Sequence, residues 1–346
     1  MTGTENMSLT SFLKLPDVKE KFRQEFRVPE LTAQKQLIAP PLSKRYPLVG
    51  TAFDYLLRFH LQRLNDGKAI RWPWKAEEAE LLTPHVAGLY RVLRHGTARL
   101  PGRIEEVDVH QIDVDRCGPD DLFCEILPNG DISPVDIRTR KTVIEAEDQP
   151  ARNIGPIFSK ACAEHERYIV SGEITDELIQ SVIHLAQLDC IYRQGKLCEE
   201  NLYGCLGVAL QEDVQDLRNL ITVVMPDFFK AKEICLLNPA FGSASALVGG
   251  ADADLLIDDT LVDIKTTKNL RLDPDHFYQL LGYFVLHSLA GIGDLVPKRD
   301  INKLAIYYSR HAHLEVFELR DIVSPQTFPK FVKWFSARAR KYLKTA

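Results

Sequence analysis

Apolar residues recur along this chain with two different periods, and the switches between them mark out its elements. Residues 10–46 divide into short helical pieces at Pro16, Pro29, Pro40-Pro41 and Pro47. Beyond Gly50, residues Phe53, Leu56, Leu57 and Leu64 have the three-to-four spacing of an apolar helix face. Residues 76–95 predict a second helix. Residues 103–150 are rich in Asp, Gly and Pro and hold short β-like runs, such as Leu122–Leu127, whose arrangement the pattern does not define. Residues 156–225 return to helical spacing; Thr175–Gln194 places Ile179, Val182, Ile183 and Ala186 on one side. The pattern then turns strand-like over Ile234–Leu237, Ala251–Ile257 and Leu261–Lys265. Asp273 followed by Pro274 predicts a helix start, with the helix running to about Leu289 and stopping near Gly291. Ala305–Ser309 and Leu314–Glu318 predict a closing pair of strands. Neither an internal repeat nor a low-complexity segment is present.

Acids break the apolar strands in a counted way. If Asp258-Asp259 is a two-residue hairpin turn, Ile257 faces Thr260, Leu256 faces Leu261, Leu255 faces Val262 and Asp254 faces Asp263. Side chains alternate between faces, so Asp252 and Lys265 form the next pair on the same face. Directly opposed residues have Cβ atoms about 5 Å apart. Two carboxylates that close destabilise the hairpin unless a cation lies between them. Asp258-Asp259 itself reads as turn chemistry. Downstream, Gln279 and Tyr283 are four residues apart and share a helix face.

The set Asp254, Asp263-Ile264-Lys265 and Gln279-Leu280-Leu281-Gly282-Tyr283 resembles the PD-(D/E)xK nuclease superfamily. Asp254 matches its first strand acid and Asp263-Ile264-Lys265 its D-x-K. Gln279 to Tyr283 matches the Q-x-x-x-Y helix motif of the RecB/Cas4-like branch. The resemblance implies a mixed α/β fold of the α+β kind: a restriction-endonuclease-like αβββαβ core over residues 210–346. Residues 1–64 would form an N-terminal helical region and 65–209 a large, mainly helical insert or cap. It implies Asp254, Asp263 and the Ile264 carbonyl as ligands of Mg²⁺ or Mn²⁺. Lys265 would act on the attacking water, with Gln279 and Tyr283 positioning it or the substrate strand. The activity implied is phosphodiester hydrolysis, of DNA before RNA. The alternative is a nuclease-fold protein that binds nucleic acid or serves as a scaffold without turnover.

The third acid has two candidate sources. Gly50-Thr51-Ala52-Phe53-Asp54 resembles the G-T-x-x-H motif of the same branch, with Asp in place of the usual His. Asp54 is still an oxygen donor suited to Mg²⁺; on the other reading it merely pairs with Arg58. The second source is the nearer helix, with Glu212 and Asp216. Asp252 is expected in a supporting role. His276 and His287 are expected at the surface, and Trp72 and Trp74 in packing.

Composition adds few constraints. No apolar run reaches membrane-spanning length, and the N-terminus lacks the pattern of a signal peptide, so a cytoplasmic protein without a membrane partner is expected. No P-loop motif is present. The seven cysteines include Cys190, Cys198 and Cys205 at irregular spacing, and none follows Cys235. The iron–sulfur cluster of some relatives in the resembled branch is therefore not expected. The net charge of −5 places any nucleic-acid surface in a local basic patch. The candidate is the C-terminal helix, with Lys333, Arg338, Arg340 and Lys341 beside Phe331, Trp334, Phe335 and Tyr342. It reads either as a phosphate-tracking helix or as one docked by its aromatics.

Overall fold

The structure, a computed structural model, describes residues 8–31, 33–76, 89–92, 104–107, 111–117, 122–126, 132–194, 207–293 and 299–345. Its helices are α1 (Leu9–Leu13), α2 (Pro16–Glu25), α3 (Tyr46–Leu64), α4 (Ile137–Ser171), α5 (Asp176–Gln194), α6 (Gln211–Thr222), α7 (Ser243–Ala246), α8 (Pro274–Ala290), α9 (Leu319–Ile322) and α10 (Phe328–Thr345). Its strands are β1 (Ala69–Arg71), β2 (Leu89–Val92), β3 (Ile104–Val107), β4 (Leu122–Ile126), β5 (Ile132–Val135), β6 (Cys235–Leu237), β7 (Leu255–Ile257), β8 (Thr260–Lys265), β9 (Lys303–Tyr308) and β10 (His313–Glu318). Among the described residues no helix is long and apolar enough to cross a membrane.

One mixed sheet organises the chain, with strand order β1-β6-β7-β8-β9-β10. β6, β7 and β8 form an antiparallel meander. α8 then carries the chain across to β9, which lies parallel to β8, and β10 turns back antiparallel. β1 adds a parallel edge beside β6. Alternation along the strands splits the apolar side chains between two layers. Leu236, Leu256, Leu261, Leu304 and Ile306 pack with α1, α2, α8 and α10. Leu237, Leu255, Val262, Ile264 and Tyr307 pack with α3, α4, α5 and α6. The helices between β1 and β6 therefore share a core with the sheet.

The predicted hairpin forms in the predicted register: Ile257 faces Thr260, Leu256 faces Leu261 and Leu255 faces Val262. Asp258 takes a left-handed backbone, with φ at 51°. Its carboxylate accepts the amides of Lys232, Glu233 and Ile234 at 2.8–3.1 Å. Burial pushes its pKa up, but those three N–H donors outweigh burial and hold it below the usual carboxylate range. The turn acid thus also fixes the entry to β6. α8 starts as predicted, with Asp273 accepting the Asp275 amide at 2.9 Å, and it ends at Gly291.

One prediction is corrected in the region between β1 and α6. The helix predicted over 76–95 is a strand over Leu89–Val92; residues 77–88 and 93–95 lie outside the described residues. Leu89–Val92 pairs on both sides, in a second sheet of order β3-β2-β4-β5, so ladder hydrogen bonds override helical spacing. Within 65–209 this four-stranded sheet lies alongside the helices α4 and α5. The β-like run at Leu122–Leu127 is found as β4, and α5 falls where the periodicity places it.

A buried ion pair ties three distant segments together. Arg310 follows β9 and is 1% exposed; its guanidinium meets the fully buried Asp216 of α6 at 2.7 and 3.1 Å. Asp216 also accepts the amides of Leu42 and Ser43, and Arg310 donates to the Ala39 carbonyl. The segment leading into α3 is therefore clamped to the sheet. Asp216→Ala is expected to cost about 3–5 kcal/mol in urea unfolding, because it leaves a buried guanidinium uncompensated. Asp216→Leu combined with Arg310→Met should cost less than Asp216→Ala alone; a single change costing under about 1 kcal/mol would contradict this account.

Candidate active site

The acids sit where the β7–β8 ladder ends. Asp263 and Lys265 occupy alternate positions of β8, on the same face as Leu261, toward α8. Beyond Leu255 the chain leaves the ladder: Asp254 Oδ2 accepts the Ile264 amide at 2.6 Å, and the Asp254 carbonyl accepts the Asn238 amide at 2.9 Å. Lys265 Nζ lies 3.1 and 2.8 Å from the two oxygens of Asp263 and 3.4 Å from Gln279 Oε1. Gln279 in turn donates to the Tyr283 hydroxyl at 2.8 Å. The Tyr283 ring stacks on Phe241 at 5.7 Å, which fixes the far end of this chain. Asp254, Asp263, Lys265, Gln279 and Tyr283 are thus brought together by a strand pair and one face of α8.

Asp54 reaches the same cluster from α3, on the opposite layer. Burial, followed by the charge of Asp254, holds its carboxyl well above the usual range; Arg58 and Lys265 oppose this and Asp263 adds to it. Asp254 is pushed up to about 6, by burial first and Asp263 second, against Lys265, the Ile264 amide and Arg58. Asp263 is raised by burial despite its bonds to Lys265. For Lys265, burial favours the neutral amine, but Asp263, Asp254 and Asp54 together outweigh it and hold the ammonium above its ordinary value. Tyr283 is pushed well up, by burial and then by the three nearby acids Asp254, Asp263 and Asp252.

These donors match a hard divalent cation in kind. They are carboxylate oxygens, and Asp263 Oδ2 is buried without a hydrogen bond of acceptable geometry, despite its approach to Lys265. Among the described residues no three His, Cys, Asp or Glu side chains are gathered tightly enough to hold an ion as they stand. A cation would therefore have to draw Asp54, Asp254 and Asp263 inward.

Other expectations are redirected. Asp252 does not face Lys265. It bridges to Ala240, while the Ala253 amide bonds the Pro239 carbonyl, so this stretch follows the segment after β6 and not β8. Asp216 is consumed by Arg310, and Glu212 lies exposed on α6, so neither supplies a third acid here. Arg58 bonds the Asp54 carbonyl, not its carboxylate. His287 is buried, not at the surface, because α8 is enclosed by the sheet, α1, α7 and α10. His276 is half-buried, and burial followed by the Lys265 charge lowers its pKa. Trp74 packs as expected, at 6% exposure.

On α10, Phe331, Phe335 and Ala339 dock into the layer of α1, α2 and α8. Arg338 pairs with Asp17 at 2.6 Å, whereas Lys333, Arg340 and Lys341 are exposed. None of the charges acting most strongly on the site acids comes from this helix. Sequence reasoning missed Asn238 and Phe241. The signal available for Asn238 was an Asn-Pro pair ending an apolar strand; Phe241 offered none.

Comparison with known protein families, with curated proteins and with solved structures yields no match.

An acid whose folded-state pKa is raised binds more protons folded than unfolded, so stability falls as pH rises between the two values. For Asp254 that window runs from its ordinary 3.8 to about 6. Asp254→Asn keeps an acceptor for the Ile264 amide and removes the charge. It should raise the melting temperature at pH 7–8, without added divalent cation, and leave it unchanged near pH 4. A variant less stable than the wild type at pH 8 would show that the acid is not under electrostatic strain.

Proposed function

We propose that this protein hydrolyses phosphodiester bonds in nucleic acid, DNA in particular, with a divalent metal bound by Asp54, Asp254 and Asp263. The observation that carries the reading is the convergence of six residues, from α3, the β7–β8 hairpin and α8, in the order the resembled nucleases use. The succession α6-β6-α7-β7-β8-α8-β9, with β8 and β9 parallel and the one-turn α7 inserted between β6 and β7, supports a restriction-endonuclease-like core. The Ile264 carbonyl is a further candidate ligand by the same resemblance.

Mg²⁺ or Mn²⁺ at these oxygens would lower the pKa of a bound water and polarise the phosphate. The chain's own part is positional and electrostatic. Lys265 is kept as an ammonium by the surrounding acids and held by Asp263 and Gln279. It can orient the attacking water and offset charge that grows on the phosphoryl oxygens. Tyr283 anchors Gln279, and through it the lysine. In this assignment Gln279 and Tyr283 are positioning residues.

Incubation with single- and double-stranded DNA and RNA, in Mg²⁺, Mn²⁺ or EDTA, tests the reading. Cleavage is expected with metal and not with EDTA. Asp263→Ala should abolish cleavage and weaken Mn²⁺ binding. Lys265→Ala should reduce turnover about a hundred- to a thousandfold while Mn²⁺ still binds. Cleavage that persists in EDTA, or that survives Asp263→Ala, would overturn the assignment.

A further inference from the structure

A second group of side chains lies directly beside the acids. β1 ends at Arg71, and the Trp72 amide donates to the Leu237 carbonyl at 3.3 Å. The next residue of that neighbouring strand, Asn238, bonds the Asp254 carbonyl. A shallow crevice of about 10 Å³ marks this seam at the surface, with Arg58, Arg71, Trp72 and Asn238 at its rim. Trp74 at its base is core: it packs against Phe59, Phe158 and His165. Trp72 is different. It is only partly buried: it packs against the edge of the layer formed by α1, α2, α8 and α10, and one edge of its ring lies over Gly293, where a Cβ would stand 2.9 Å from the ring.

Arg58 is held in two ways, neither of them an ion pair. Its Nε donates to the Asp54 carbonyl at 3.0 Å, and its guanidinium carbon sits 4.6 Å above the Tyr55 ring. Among the described residues its two terminal nitrogens have neither a hydrogen bond nor a carboxylate partner. An arginine fixed through Nε and through its face keeps its outer N–H groups for an incoming anion with paired oxygens. Arg71, stacked 4.7 Å over Trp74, adds a second cation to the same crevice.

We propose that Arg58 and Trp72 form a subsite for one unpaired nucleotide next to the bond that is cut. Arg58 binds the neighbouring phosphate through its outer nitrogens, and Trp72 stacks on the attached base. This rests on the nuclease reading and adds a substrate class to it: a single strand or a frayed end. A paired base is already stacked within its duplex and cannot lie on an indole. The crevice adjoins β1, which is an edge strand among the described residues.

The test uses the full chain and a fluorescein-labelled single-stranded oligodeoxynucleotide, followed by anisotropy over a salt series with Ca²⁺ in place of Mg²⁺. Arg58→Gln should weaken binding about tenfold and lower the salt slope by about 0.7, the value for one contact to a single strand. Arg58→Lys should restore the slope and part of the affinity. Trp72→Ala should weaken binding about fivefold or more at unchanged slope, and Trp72→Phe should recover it. Oligonucleotide binding unaltered in Arg58→Gln and Trp72→Ala overturns the subsite and leaves the nuclease reading intact. So does Arg58→Gln that only tightens Mn²⁺ binding, since Arg58 would then be a countercharge alone. Loss in Trp72→Phe as large as in Trp72→Ala assigns the ring to packing and overturns the stacking role. Wild-type protein that neither binds nor cleaves any nucleic acid overturns both proposals.

Discussion

Three carboxylates crowded around one ammonium set the terms for the rest of this molecule. Asp54, Asp254 and Asp263 each have their ionised form penalised, and each is a neighbour of Lys265. Left to themselves such groups separate or take up protons. They stay together because each is built into a different rigid element: α3, the end of β7 and the middle of β8. α8 closes the fourth side with Gln279 and Tyr283. The site is therefore a place where local stability is given up, and the sheet with its two helical layers compensates for it.

Two other acids show how the compensation is arranged, and both, unlike the site acids, carry full hydrogen-bond complements. Asp258, at the turn end of β8, is saturated by three backbone amides and is stabilised as an anion. Asp216 is saturated by Arg310 and two more amides. The first holds β6 to the β7–β8 hairpin. The second holds the segment before α3 to the end of β9, and so helps set where α3 carries Asp54. Aspartates with full hydrogen-bond complements fix the frame, whereas those without them are gathered at one end of the sheet.

This contrast also explains what could be read from the chain. The pairing of Leu255 with Val262 followed from counting outward from a two-residue turn, because strand alternation leaves no freedom once the turn is set. The α8 boundaries followed from Asp273, Pro274 and Gly291, which act locally. Asp252 was misplaced because the count assumed that the ladder continues, whereas the chain peels away to follow Pro239 and Ala240. The roles of Asp216 and Arg310 were hidden for a different reason. Their partners lie far along the chain, and an isolated Asp on a helix gives no sign that an arginine will be buried against it. Leu89–Val92 was misread because ladder partners on both sides, invisible to periodicity, decided its conformation.

The charge balance of the cluster narrows what it can accept. If all three carboxylates ionise, Lys265 and Arg58 leave one net negative charge, in a place where burial already penalises each anion. A lone nucleic-acid phosphate would add to that excess and be repelled. A divalent cation would reverse the sign and leave one net positive charge, which a phosphodiester neutralises on entry. Arg58 then has a part that Lys265 cannot take. The lysine is already engaged by Asp263 and Gln279, whereas the outer nitrogens of Arg58 make no hydrogen bond or ion pair among the described residues. With all three acids ionised, the cluster would take metal and phosphate together more readily than phosphate alone, which agrees with the proposed function.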